Sequence, residues 1–336
     1  MSETSKMAQY HVYGVGNALV DLEFEIPEST LDELKIDKGL MTLIEEDRHH
    51  ELLSALDGVE SRPCGGGSAA NTIVASAQLG ASTFYSCKVA NDTTGHFYLK
   101  DLANNGVTTN LDVSSLDAGH TGKCIVMITP DAERSMNTYL GITQRIGVAE
   151  LNEEAIRQSD YVYIEGYLVP EPNARAAAIK ARKIAKDAGV KTSLTLSDVN
   201  MVKFFKDGLE EIIGDGLDLV FCNEDEAMMM YDADNIESCT TSLRQHARQF
   251  AITRGAKGAI LFDGNKIIEV PAKAITPIDS NGAGDIYAGA FLYGLSQGMS
   301  FERCGELAGA AAGTLIQKFG ARLTQSEMQA VGKLFA

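Results

Sequence analysis

Short apolar runs alternate with longer stretches of helical period through most of the chain. His11–Asn17 (HVYGVGN), Thr83–Ala90, Tyr161–Ile164, Thr192–Leu196, Leu217–Cys222 and Phe250–Thr253 are too short for helices and predict buried strands. Ser68–Leu79 (SAANTIVASAQL, stopped by Gly80), the segment around Ala174–Ala188, Ala283–Gln297, Arg303–Gln317 and Gln325–Leu334 predict helices. Lys266–Val270 is expected as an antiparallel edge strand. This βαβα order predicts an α/β fold: a doubly wound, mostly parallel sheet with helices on both faces.

Two regions break that order. Val20–Ile26 (VDLEFEI) alternates strictly, with Val20, Leu22, Phe24 and Ile26 on one face and Asp21, Glu23 and Glu25 on the other. Lys123–Thr129 and Ser135–Leu140 also read as half-exposed strands. Such strands pair into a sheet with one apolar and one wet face. The expectation is one domain over residues 1–336 with a small β-sheet lid, built from strands around 18–28 and 121–141. An immobile edge hairpin is the plainer alternative. The apolar lid faces would cover a ligand or pair two subunits, so a monomer or a homodimer is expected.

The length of 336 residues suits one large α/β domain with an insertion, or two domains. A hydrophobic content of 45% fits a packed globular chain, and no apolar run approaches the roughly 20 residues of a membrane helix. The stretch MSETSKMAQYHVYG shows no basic segment followed by an apolar one, so no secretory signal is expected. The six cysteines contain no CxxC pair, which argues against a zinc or disulfide framework and suits a reduced cytoplasmic compartment. The net charge of −17, without any Lys/Arg run, argues against a nucleic-acid partner. It also means that any anionic ligand must be held by local donors or a metal, the long-range repulsion being screened over about 8 Å.

The chemistry concentrates in a few stretches. In Ile278–Leu295 (IDSNGAGDIYAGAFLYGL), Gly282, Ala283 and Gly284 leave the backbone open at the start of a predicted helix. Free N–H groups and the helix dipole make such a start an anion site. Asp285 would be kept ionised there, and an ionised carboxylate beside a phosphate makes sense if it faces a hydroxyl that attacks phosphorus. An acid that merely offsets the dipole is the alternative. Gly65-Gly66-Gly67-Ser68 leads into a second helix with Asn71 in its first turn; lacking a Lys-Ser/Thr pair, it is not the GxxxxGK[ST] loop. Gly66 and Gly67 permit close approach, and Ser68 and Asn71 offer polar hooks. A capped helix after a tight turn is the alternative.

Gly14-Val15-Gly16-Asn17-Ala18-Leu19 imitates a dinucleotide fingerprint, but Leu19 replaces the third glycine and a strand pattern follows, which rejects a dehydrogenase. What remains is Asn17 with Asp21, whose carboxylate can accept from two neighbouring sugar hydroxyls; a solvated acid on a strand is the alternative. Asn223-Glu224-Asp225-Glu226 follows an apolar strand, where ligands bind in such sheets, and Glu226 could hold hydrated Mg²⁺; an acidic helix start favoured by the dipole is the alternative. Thr253-Arg254-Gly255-Ala256-Lys257-Gly258 is a loop of the kind that takes a nucleotide; a plain β-turn is the alternative. The histidines are scattered, without HxH or HExxH, and none is assigned a catalytic or metal role.

Together these stretches resemble the ribokinase (PfkB) family of sugar and nucleoside kinases, from Tyr13 to about Arg322. Asp279–Asp285 (DSNGAGD) is similar to the family's DTxGAGD, with Ser280 in place of Thr; Gly65–Asn71 is similar to GGxxxN, and Asn223–Glu226 to NxxE. The resemblance implies a ribokinase-like fold with a β-sheet lid and ATP-dependent phosphorylation of a primary alcohol. It implies Asp285 as base and the amides of Gly282, Ala283 and Gly284 as anion hole, with Arg134 offered to the transferred phosphate. Asn17, Asp21, Gly66, Gly67, Ser68 and Asn71 fall at substrate positions, and Asn223, Thr253, Gly255 and Gly258 at nucleotide positions. Glu226 would organise Mg²⁺ through water, and a monovalent cation, K⁺, is expected with Asp279 as a candidate ligand. Gly16-Asn17 with Asp21, Asn281, Leu196-Ser197 and Glu133-Arg134-Ser135 are similar to the adenosine kinase branch. A nucleoside, adenosine first, is therefore favoured; a free sugar such as ribose or fructose, or a nucleoside-binding protein without turnover, are the alternatives.

Overall fold

The structure is a computed structural model describing residues 8–335 apart from residue 132. The expectations for the N-terminal stretch thus fall partly, and the 121–141 segment at one residue, outside the described residues.

The strands are β1 (Tyr10–Val15), β2 (Leu19–Glu25), β3 (Met41–Leu43), β4 (Ser61–Gly66), β5 (Thr83–Ser86), β6 (Val107–Thr108) and β7 (Gly122–Ile128). The second half adds β8 (Arg134–Tyr139), β9 (Ser159–Glu165), β10 (Lys191–Thr195), β11 (Leu217–Asn223), β12 (Ala247–Thr253), β13 (Ala259–Phe262) and β14 (Ile267–Val270). Nine form one sheet in the order β14-β13-β12-β11-β10-β9-β1-β5-β6. The pairings from β12 to β6 are parallel, and β13 and β14 are antiparallel at one edge. The expected Lys266–Val270 edge is β14; the strand before it, β13, was not foreseen.

Apolar layers cover both faces of this sheet. One contains the helices Ser68–Leu79, Ala283–Ser296 and Phe301–Leu315; the other contains Pro172–Asp187 and Val199–Ile213. Chain order reverses between β1 and β9: β5 and β6 extend one way, β10 to β12 the other. The carboxyl ends of strands flanking such a reversal leave a crevice, the usual ligand position in open α/β sheets.

The helix Ala283–Ser296 is buried on nearly every side, and Phe291 meets Phe221 and Phe301 edge-on at 5.6 and 4.8 Å. Each such pair contributes about 0.5–1.5 kcal/mol beyond area burial. Its crossing with Ser68–Leu79 depends on Gly289. A Cβ there would lie 2.3 Å from the Thr72 carbonyl oxygen, and the Gly289 carbonyl accepts from the Ser76 hydroxyl at 2.7 Å. This close crossing sets the two helix N-termini beside one another.

A second, five-stranded sheet has the order β3-β8-β7-β2-β4. The expected alternation in Val20–Ile26 is realised, with a different cover. Phe24 and Ile26 pack with Leu31, Leu52, Ile125 and Met127 beneath the helices Glu28–Glu33 and Glu46–Ala55, and Val20 joins the main core. The apolar face at Phe24 and Ile26 is therefore covered by the chain's own helices.

Candidate active site

The crevice contains a cavity of about 490 Å³ at the carboxyl ends of the parallel strands. Asn17, Asp21, Gly67, Ser68 and Asn71 line one side of it, Asn223, Glu226 and Thr253 another, and Gly282, Ala283, Gly284 and Asp285 the floor. Residues far apart in sequence therefore meet in one space.

Asp285 stands in the first turn of its helix, half-buried. Its Oδ1 accepts from the Ser68 hydroxyl at 2.6 Å, and its Oδ2 from the Asn71 amide at 3.0 Å. The Asn71 amide is in turn oriented by Arg322, whose Nε donates to Asn71 Oδ1 at 2.7 Å and whose Nη1 pairs with Asp101 at 2.5 Å. The arginine thus aims the amide's N–H toward Asp285. Burial raises the Asp285 carboxyl above its ordinary value, while Ser68, Asn71 and Arg322 pull the other way. The expectation of a carboxylate simply held ionised misses that balance; a raised value moves the group toward the range that suits a general base.

The glycines serve the backbone path. Gly282 caps the helix at φ 72°, and a Cβ there would lie 2.6 Å from the Ala321 carbonyl oxygen. Among the described residues a Cβ at Gly284 would meet nothing within 4 Å, so that position has room for a ligand. The Ala283 amide donates to the Ser280 carbonyl at 3.2 Å. Gly67 caps the other helix at φ 94°, where a Cβ would lie 2.3 Å from the Asn17 carbonyl oxygen. Gly66 is not among the cavity-lining residues; it gives room to Asp21, whose Oδ1 would be 2.6 Å from a Cβ at that position.

Asn17 and Glu165 join the two strands at the reversal. Asn17 Nδ2 donates to Glu165 Oε1 at 2.8 Å, and the Ala69 amide donates to Glu165 Oε2 at 2.7 Å. Glu165 is 1% exposed, and Gly16 makes room for it: a Cβ there would lie 2.4 Å from Oε2. Sequence reasoning missed Glu165. The available signal was an acid ending the apolar run YVYIE at the carboxyl end of β9. Burial raises its carboxyl to about 7 against the bonds from Ala69 and Asn17, and raises Asp21 to about 6 against nearby Arg322 and Arg134.

A carboxyl raised on folding binds protons more readily in the folded state, so its contribution to stability falls as pH rises through the folded value. His49, lowered to about 4 by burial, acts oppositely, but only between about 4 and its ordinary 6.5. From pH 6.5 to 8 the wild-type protein is therefore expected to lose melting temperature. Glu165→Gln should shrink that loss, and thermal scans of both proteins across this window check it; an identical slope would remove Glu165 as its source.

At the far end Asn223 and Glu226 cap their helix reciprocally. Asn223 N and Nδ2 donate to Glu226 at 3.0 and 2.7 Å, and Glu226 N donates to Asn223 Oδ1 at 2.8 Å. Burial, against the Asn223 amide bond and helped by Asp198, Asp225 and Asp285, raises Glu226 to about 7. That concentration of negative charge suits a dication. Ser197, on the cavity wall, holds a left-handed φ of 71° while its hydroxyl accepts from the Gly166 amide at 2.9 Å. Such strain tends to gather at functional sites.

Besides Gly66, four expected site residues stand outside the lining. Gly255 (φ 53°) and Gly258 (φ 88°) shape the turn after β12, and a Cβ at Gly258 would lie 2.0 Å from the Val270 carbonyl oxygen. Arg134 does not face the cavity: its guanidinium is buried between the carboxylates of Glu23 and Asp279, which neutralise it. Asp279 does not suit a K⁺ ion either. Its Oδ1 accepts from the Asn281 amide at 2.9 Å, and its Oδ2 from Gly320 N at 3.0 Å and from Arg134, so a guanidinium occupies the charge a cation would seek.

A doubly wound sheet, a smaller second sheet and a cleft that sets a carboxylate between two helix starts define a ribokinase-like kinase fold. The sequence pattern of the pfkB family carbohydrate kinase matches residues 35–328, and the chain belongs to that family, whose members are phosphotransferases with an alcohol acceptor. The crystal structure of adenosine kinase from Sinorhizobium meliloti is 34% identical, covering 98% of this chain and all of that one, with a TM-score of 0.88. A probable sugar kinase from Rhizobium etli CFN 42 is 33% identical over 98% of this chain and 99% of its own, also with a TM-score of 0.88. Adenosine kinase of Dictyostelium discoideum is 25% identical over 96% of this chain and 98% of its own length. No helix among the described residues is long and apolar enough to cross a membrane.

Proposed function

We propose that the protein transfers the γ-phosphoryl group of ATP to the primary hydroxyl of a nucleoside, with adenosine the favoured acceptor. One observation carries the reading: Asp285 opens into the same cavity as Asn17, Asp21 and the Ser68–Asn71 turn, and is held there by Ser68 and Asn71. Asp21 takes two ribose hydroxyls, with Asn17 and Gly67 beside them. The primary hydroxyl then faces Asp285. As its oxygen bonds to phosphorus, its proton passes to the Asp285 carboxylate, and the bond from phosphorus to the departing ADP oxygen breaks. Amides at the Gly282–Gly284 turn stabilise the charge on the transferred group.

Asn223 and Thr253 line the nucleotide end, and Gly255 and Gly258 hold the adjoining turn in shape. Glu226, already spending one face of its carboxylate on Asn223, suits a contact to hydrated Mg²⁺ through water; that ion supplies charge neutralisation of the phosphates. No step is assigned to K⁺, and Arg134 acts here as an internal counter-ion to Glu23 and Asp279.

The nucleoside reading is supported by the apolar cover of the cavity. Met41, Leu43 and Met136 of the small sheet line it, and Leu43 is 57% exposed. These suit a flat base better than a free sugar. The small sheet is read as a lid that closes over that base. Proteolysis within Leu40–Leu43 should then slow when adenosine and a non-hydrolysable ATP analogue are both present; equal cutting would leave the sheet immobile. The reading as a whole is tested by a panel of nucleosides and free sugars with MgATP, with and without K⁺, ranked by kcat/KM. Adenosine should lead; ribose or fructose leading would shift the acceptor to a sugar, and no phosphorylated product would leave a binding protein.

A further inference from the structure

We propose that Glu46, His50 and His120 form a binding site for a borderline transition-metal dication such as Zn²⁺, outside the phosphotransfer cleft. Glu46 and His50 are at i and i+4 on the helix Glu46–Ala55, so their side chains leave one face a single turn apart. His120 comes from the segment just before β7. One donor atom from each residue lies within 4.8 Å of the other two. Glu46 Oε1 and His120 Nε2 are 3.2 Å apart. Donors at about 2.0–2.1 Å from a tetrahedral ion are about 3.3–3.4 Å from one another, so this edge already has ligand spacing.

The rings of His50 and His120 meet edge-on with centroids 6.0 Å apart. His120 and Glu46 are 52% and 47% exposed, which lets an ion enter from solvent and the side chains turn onto it. Two imidazoles and a carboxylate favour Zn²⁺-like ions over Mg²⁺ or Ca²⁺, which seek oxygen donors. The donor set is therefore chemically distinct from anything that would accompany ATP. A fourth position is left for water.

The ground beneath the cluster is unusual in the same sense. His49 is 1% exposed, and neither of its ring nitrogens has a partner among the described residues. Its ring lies 6.0 Å from that of His50 and 5.1 Å from that of Tyr139. No spacing rule finds this site, because its third ligand arrives from a distant segment.

The site joins two parts of the molecule. Leu52, on the same helix, packs into the small sheet with Phe24, Ile125 and Met127. The segment of His120 is fixed to the large body by Thr121, whose amide and hydroxyl donate to Asp92 at 2.9 and 2.7 Å. A bound ion would staple the helix of the small sheet to that anchored segment.

The test is a titration of the metal-free, untagged full chain with Zn²⁺ alone against a chromophoric chelator, paired with thermal scans. Wild type should take one equivalent, and His50→Ala and His120→Ala should bind it at least about tenfold more weakly. Zn²⁺ should raise the wild-type melting temperature by about 2 °C or more, with the shift lost in both variants. His96→Ala and Cys64→Ser should keep the equivalent. The proposal fails if wild type takes none, if either histidine variant keeps both the equivalent and the shift, or if the equivalent disappears with Cys64→Ser.

Discussion

Asp285→Asn is expected to lower kcat at least about a hundredfold while ATP still binds, the low end for a lost general base. The substitution keeps the volume and one acceptor oxygen, so the contact from Ser68 or Asn71 survives and the helix start is undisturbed. What disappears is the site for the acceptor's proton. Loss of a negative charge beside the phosphates also removes a repulsion, so the dissociation constant for ATP should not rise. Steady-state rates together with calorimetric ATP titration measure both quantities. Near-normal kcat would take Asp285 out of the mechanism, and loss of both activities would point to the fold instead.

The second large effect is expected at Asp21. A hydrogen bond to a charged group contributes about 1.5–3 kcal/mol, and the carboxylate is proposed to accept two from the ribose. Asp21→Ala should therefore cut kcat/KM by a hundredfold or more, chiefly through KM. The group also carries a pH signature. Burial holds its carboxyl at about 6, and only the ionised form accepts from both hydroxyls. Acceptor affinity in the wild type should fall as pH drops through about 6, and that inflection should vanish in Asp21→Ala. A 2′-deoxynucleoside should lose part of the same affinity in the wild type and little more in the variant. An unchanged KM in the variant would move the ribose site elsewhere.

Much of this was legible because apolar strand runs end where chemistry begins. Ser68–Leu79 forms the predicted helix, and the starts of the predicted Ala283–Gln297 helix and of β11's successor place Asp285 and Asn223 as the sequence implies. The small sheet was legible only in part. β4 (SRPCGG) has no alternating apolar pattern; it exists because its backbone pairs with β2, and as an edge strand it tolerates Pro63. Met41–Leu43 is too short to read.

The misplacement of Arg134 has a similar cause. Its motif position is local, but its partners Glu23 and Asp279 come from other parts of the chain, and a guanidinium between two carboxylates has little reason to turn toward a phosphate. Glu165 and Arg322 were missed because their roles are to orient Asn17 and Asn71, and such support becomes visible only when the distant segments meet.

The most direct measurement is ³¹P product analysis of the wild-type protein with MgATP and adenosine, run beside 5′-deoxyadenosine. The account predicts one new phosphomonoester on the primary carbon of adenosine, formed in step with ADP, and no ester from the deoxy analogue even where it competes for binding. An ester at a ring hydroxyl, or ADP formed only with free phosphate, would contradict it.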